Sequence, residues 1–173
     1  MKVALLVSPK DFKDESVSKL KLMLEKWNIN VVVTTYSARE CVGYHGAVYR
    51  IDTDASTILP EGYDALILID GKGVDTYKLY DFRPLLDMIK LFYIRGKIIG
   101  AIENSIKELS RANVISGVKI SAPKDTETMR LVQLYHGSPS KNPVEFDKNL
   151  LTIGDNGNTL DFADALLEKL GVK

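Results

Sequence analysis

The chain has 173 residues and 45% hydrophobic content, enough for a single domain, residues 1–173, to bury its own core without disulfide or metal staples. Lysine plus arginine and aspartate plus glutamate number 23 each, so the broad positive field that nucleic acid or an anionic membrane would require is missing, and neither partner is expected. The one cysteine, Cys41, has no mate for an internal disulfide, which suits a cytoplasmic location, and the longest apolar runs fall far short of the roughly 20 residues that cross a bilayer.

Val3-Ala4-Leu5-Leu6-Val7 closes at Ser8-Pro9 and has the continuous apolar character of a strand covered on both faces. The period then changes. Val17, Leu20, Leu24 and Trp27 share one helical face, which predicts a helix over residues 15–27. Residues 30–35 are β-branched and strand-like, and residues 43–52 read as an extended or hairpin segment with Ala47, Tyr49 and Ile51 at alternate positions. Residues 65–69 form a second buried-strand pattern. A helix is expected over residues 79–93 with Phe82, Leu85, Leu86, Ile89 and Phe92 on one side.

Residues 97–102 repeat the buried-strand pattern and end at Glu103, followed by a short helix over 104–111 and a strand over 118–121. Residues 123–146 carry no clear period; 131–135 reads as a strand and 137–143 as a loop. Residues 150–153 make a last strand and 154–158 a turn, and Leu160, Ala163, Leu166, Leu167 and Leu170 mark a C-terminal helix. Buried strands alternating with helices imply right-handed crossovers and a mostly parallel sheet. Ligands meet such sheets at the carboxyl ends of the strands, here residues 8–15, 70–75, 103–105 and 154–158.

Familiar site signatures are few. His45 and His136 are the only histidines and have no ligand-like spacing to Cys41, so no metal is expected. His45 fits a hydrogen-bonded loop and His136 a solvent-facing one. No Gly-x-Gly-x-x-Gly or Walker-type loop follows a strand, which removes dinucleotide and ATP cofactors, and no Gly-x-Ser-x-Gly suggests a serine nucleophile. Cys41, beside Val42, fits a buried small hydrophobe.

Three stretches together carry a family likeness. Tyr63-Asp64-Ala65-Leu66-Ile67-Leu68-Ile69-Asp70-Gly71-Lys72 is similar to the strand-plus-Gly-Gly segment of the ThiJ/PfpI family, and Gly96-Lys97-Ile98-Ile99-Gly100-Ala101-Ile102 resembles the strand leading into its nucleophile elbow. Asp147-Lys148-Asn149-Leu150-Leu151-Thr152, with Gly157-Asn158-Thr159-Leu160-Asp161-Phe162-Ala163, resembles its closing strand, turn and helix. The resemblance covers nearly the whole chain outside residues 123–146. It implies a flavodoxin-like three-layer sandwich of the class I glutamine amidotransferase type, usually dimeric or larger. It further implies peptidase, glyoxalase, deglycase, hydratase or stress-response activities, built on an elbow cysteine, a following histidine and a glutamate from the first loop.

By that resemblance Glu103 stands where the cysteine would be, Asn104 where the histidine would be and Ser105 where a glycine would be. Asp70-Gly71 replaces the Gly-Gly, so one oxyanion-side glycine is kept, and His45-Gly46 echoes the family by position. In the first loop Lys13 takes the place of the glutamate, with Asp11 or Glu15 there instead if the register slips. A carboxylate is too weak a nucleophile at neutral pH to do the thiolate's work. Three readings of Glu103 stand. Ser105 and Glu108 have capping-box spacing, and Asn104 is a good cap, so the segment can be structural. Lys13 and Glu103 can form a reversed-charge pair around a small polar ligand, or Glu103 can act as a general base. The expectation is a non-catalytic cytoplasmic scaffold or small-ligand binder, a homodimer or larger, with a stress-related role. The alternative is a hydrolase or lyase using Glu103 as general acid/base.

Overall fold

The uninterrupted apolar runs become the centre of one sheet in the computed structural model, which describes residues 1–173. In chain order the elements begin with β1 (Lys2–Leu6), β2 (Lys10–Phe12), α1 (Asp14–Lys26), β3 (Asn30–Thr34), β4 (Glu40–Gly43) and β5 (Val48–Arg50). They continue with β6 (Ala65–Leu68), α2 (Lys72–Thr76), α3 (Arg83–Ile94), β7 (Ile98–Ile102), α4 (Ile106–Arg111) and β8 (Lys119–Ile120). The chain closes with α5 (Thr126–Leu134), β9 (Ser138–Pro139), β10 (Val144–Asp147), β11 (Leu150–Ile153) and α6 (Thr159–Lys169).

The main sheet has the order β10-β11-β7-β6-β1-β3, parallel throughout except for the antiparallel edge strand β10. Its central strands are buried on both faces, which is why they read as unbroken apolar runs and not as alternating ones. One face packs on α1 and α6 through Val17, Leu20, Leu24, Phe162 and Leu166; the other packs on α3, α4 and α5 through Leu85, Ile89, Ile106, Leu109 and Val132. Helix α6 approaches so closely that a methyl group at Gly100 would lie 2.6 Å from the Phe162 ring. The expected flavodoxin-like three-layer sandwich is therefore present, and no helix is long and apolar enough to cross a membrane.

Several expectations change. Residues 131–135 lie mostly in α5 and not in a strand. The Asp125 carboxylate accepts the Thr128 N–H at 2.9 Å as an N-cap, and Thr128, Leu131 and Val132 then fall on one buried helical face. Strand β10 was not expected; it is the half-buried outer arm of a hairpin with β11. Ser138-Pro139, inside the expected loop, makes a short parallel bridge to β8. Trp27 caps α1 and is 40% exposed, and Phe82 caps α3 and also faces solvent, so neither joins its helix's inner face. Leu160 is exposed in the first turn of α6.

Candidate ligand site at the strand ends

Strand β7 runs buried to Ile102, and Glu103 then takes a left-handed backbone, φ 47°, at the start of the tight turn Glu103–Ser105 that leads into α4. A non-glycine residue in that region costs roughly 1–2 kcal/mol, and the reversal lifts the Glu103 side chain clear of the sheet. Ser105 secures the turn. Its Oγ accepts from Ile102 N at 2.8 Å and donates to Leu68 O at 2.9 Å, tying the elbow to β6. The capping box expected from Ser105 and Glu108 does not form, because Glu108 is wholly buried beneath α4 and its carboxyl oxygens have no hydrogen-bond partner. Asn104 is not a cap either: its Oδ1 accepts from Gly71 N at 3.1 Å and its Nδ2 donates to Gly71 O at 2.7 Å, clipping the elbow to the end of β6.

Gly71 is dictated by crowding. With φ 137°, a side chain there would put its Cβ 2.6 Å from Asp11 O and 2.7 Å from Lys13 N. The β2 segment is pulled against it by the bond from Lys13 N to Asp70 O at 2.9 Å. That contact delivers Lys13 to the elbow. Lys13 Nζ donates to Glu103 Oε1 at 3.3 Å and stands 3.6 Å from Asp70 Oδ2. Among Lys13, Asp11 and Glu15, it is Lys13 that pairs with Glu103. Glu15 lies outside the site, exposed on α1 and paired with Lys19 one turn on.

Asp70 is 1% exposed, and its Oδ1 accepts from the buried Ser16 hydroxyl at 2.7 Å. Burial, aided by the charge of Glu103 and only partly offset by Ser16 and Lys13, pushes its pKa up to about 6. Lys13 shifts upward as well: burial disfavours its ammonium, but the charges of Asp70 and Glu103 outweigh that and hold the proton. Lys13 is accordingly a cation at neutral pH and not an amine nucleophile.

These groups line a cleft of about 370 Å³ at the carboxyl ends of the strands. It brings together Lys13, His45, Asp70, Gly71, Glu103 and Asn104, with Asp11 beside them. His45 comes from the β4–β5 turn, which Asp14 holds by accepting His45 N and Ala47 N, both at 2.8 Å. Tyr44, Lys72, Pro123, Asp125 and Asp155 complete the lining; Lys72 and Asp155 fall within the strand-end segments 70–75 and 154–158 without having been singled out, and Tyr44, Pro123 and Asp125 fall outside them. Asp125 precedes α5 in the stretch without a clear period, where its capping spacing to Thr128 was the available signal; Asp155 sits in the turn after β11, already marked as a strand end. None of the lining side chains is a cysteine, serine or threonine. Cys41 is buried in β4, where burial pushes its thiol up to about 11. The cleft can therefore exchange protons and bind charge, but its lining presents no thiol and no serine or threonine hydroxyl.

The sequence profile described as the DJ-1/PfpI family matches residues 1–169. An uncharacterized protein of Methanocaldococcus jannaschii is 30% identical over 151 residues, which is 87% of this chain and 73% of that protein. Among solved structures, the chain is similar to a ThiJ/PfpI domain protein from Brachyspira murdochii with a TM-score of 0.88 and 21% identity, covering 99% of this chain and 95% of that one. It is also similar to a DJ-1 superfamily protein from Agrobacterium tumefaciens with a TM-score of 0.86 and 19% identity, covering 100% and 91% of the respective chains. At these identities the structural likeness speaks for the fold.

Proposed function

The chain belongs to the DJ-1/PfpI family, and from that premise we propose that it is a non-catalytic member that binds a small polar ligand in the cleft at its elbow. The observation that carries this reading is the engagement of Glu103 by Lys13 at 3.3 Å: the residue that the family resemblance sets at the nucleophile position is a carboxylate, and it is held in an ion pair. A thiolate or alkoxide attack on a carbonyl needs a nucleophile with a partner base. Here the group offered to the cleft is a weak nucleophile neutralised by a lysine. A homodimer or larger assembly and a cytoplasmic, stress-related role go with this reading on the strength of the family likeness.

The second reading, a hydrolase or lyase working by acid–base catalysis, draws support from Asp70. A carboxyl group whose pKa is pushed up to about 6 is well matched to proton transfer near neutral pH. The purified protein, incubated with glyoxal, methylglyoxal and small peptides, distinguishes the two. The binder reading expects no turnover above that of Glu103→Gln, and native Cys41 inert to a thiol reagent until the protein is unfolded. Turnover that Asp70→Asn or Glu103→Gln abolishes would establish the enzyme and end the first reading.

A further inference from the structure

The balance of charge in the cleft points to what it binds. Asp11, Asp70, Glu103, Asp125 and Asp155 face only two lysines, Lys13 and Lys72. Lys72 is taken up by Tyr44, with Nζ 3.2 Å from the phenol oxygen and 4.4 Å from the ring centre. Lys13 is shared between Asp70 and Glu103. Asp11, Asp125 and Asp155 have no lysine or arginine within ion-pairing distance, so the cleft as a whole is an acidic hollow.

Acidic side chains at a surface are ordinarily a solvated rim. Asp70 is different. It is buried at the cleft floor, its Oδ2 receives no hydrogen bond, and its nearest cation, Lys13 Nζ, is 3.6 Å away, beyond a good hydrogen bond. A buried acceptor left without a donor destabilises the fold, and a ligand that brings one recovers that loss. The acids are also spread around the opening: no three of them, with or without a histidine, converge as a metal ion would require. Spaced carboxylates suit an extended organic cation better than a point charge.

We propose that the cleft binds a small organic amine, an alkyl monoamine or diamine, whose ammonium docks against Glu103 and Asp70 beside Lys13 while its far end reaches Asp155 and Asp125. This rests on the reading of the site as a binder without a nucleophile. The ligand's ammonium takes the same kind of position that the Lys13 ammonium already holds. Removal of Lys13 therefore opens a second ammonium-sized place between two carboxylates, and an added amine fills it.

Isothermal titration calorimetry at low ionic strength, where exposed charges are least screened, tests this with putrescine and methylamine. Sodium acetate and inorganic phosphate serve as anion probes and magnesium chloride as the metal probe. Putrescine should bind the native protein with one site, and Glu103→Gln and Asp155→Asn should each weaken it about tenfold. Lys13→Ala should tighten both amines about tenfold, with methylamine gaining most. Thermal melts of each variant confirm that it is folded. An anion or magnesium binding while putrescine stays silent, no binding by any probe, or putrescine binding that none of the three variants alters would each overturn the proposal. Amine silence without dicarbonyl turnover removes the amine and leaves the binder reading; dicarbonyl turnover removes the binder reading itself.

Discussion

Glu103 and Glu108 lie five residues apart on the same turn-and-helix unit, and the fold uses them in opposite ways. Glu103 is 36% exposed in its side chain, held by Lys13 and open to the cleft. Glu108 is completely buried with both oxygens unpartnered, and burial, reinforced by the charge of Asp75, drives its pKa well above the ordinary carboxylate value. Its neighbour Lys107, itself buried, pairs with Asp75 and Glu127 and not with Glu108, so the cation next in sequence leaves Glu108 without a hydrogen bond. An acid at the cleft has solvent and a counter-ion and costs little to keep. An acid of the same type one and a half turns on has neither, and burial favours its protonated form at a standing cost to stability.

The largest expected effect sharpens that contrast. Glu108→Met, of similar length and without polar oxygens, should raise stability by about 1–3 kcal/mol in urea unfolding, since it removes a buried carboxyl whose oxygens have no hydrogen-bond partner. Glu103→Met should change it by about 1 kcal/mol or less, since a half-exposed pair contributes little. Equal effects at the two sites would break the comparison.

Next in size is pH dependence. Asp70 has a folded pKa near 6 against an ordinary value of 3.8, so its contribution to stability is complete below the ordinary value and is lost as pH rises through 6. The shift corresponds to about 2–3 kcal/mol. Asp70→Asn should keep the Ser16 hydroxyl bond and flatten the stability profile by about that amount between pH 4 and pH 7. Glu108 acts with the same sign, so Glu108→Gln should flatten the profile further; unchanged slopes in urea titrations across that range would show that neither acid titrates as the geometry requires.

The smallest effect concerns the elbow itself. Glu103→Gly should relieve the left-handed backbone at φ 47° and raise stability slightly, by a net of about 1 kcal/mol or less in urea unfolding once glycine's added freedom in the unfolded chain and the lost ion pair are counted. A marked loss of stability would mean that the Lys13–Glu103 pair contributes more than its exposure suggests.

Legibility in the sequence followed burial. Strands β1, β6 and β7 lie between two helical layers, so their residues had to be apolar without interruption and announced themselves. Strand β10 is an edge strand of four half-buried residues, and its Val-Glu-Phe-Asp alternation is too short to stand out from the loop that precedes it. Helix α5 was hidden because only Thr128, Leu131 and Val132 are fully buried on its inner face, too few to establish a period within nine residues. The pairing of Lys13 with Glu103 was legible only through the family resemblance, since 90 residues separate them. Asp125 and Asp155 enter the cleft from loops that only the folded topology brings together, and no local pattern could unite them. The Ser105–Glu108 spacing misled because Ser105 found better partners in Ile102 and Leu68 than a helix end offers.

Lys13 and Asp14 are consecutive residues with opposite charges and opposite errands. Lys13 reaches to the elbow, and Asp14 grips the hairpin turn so tightly that Gly43 has no room for a side chain against its carboxylate. A single peptide link thus sets the gauge between two banks of the cleft. An inserted residue between them would unhook one bank or the other, and any guest that tugs on the Lys13 ammonium pulls on the hairpin bearing Tyr44 and His45 through the shortest tether a polypeptide can make.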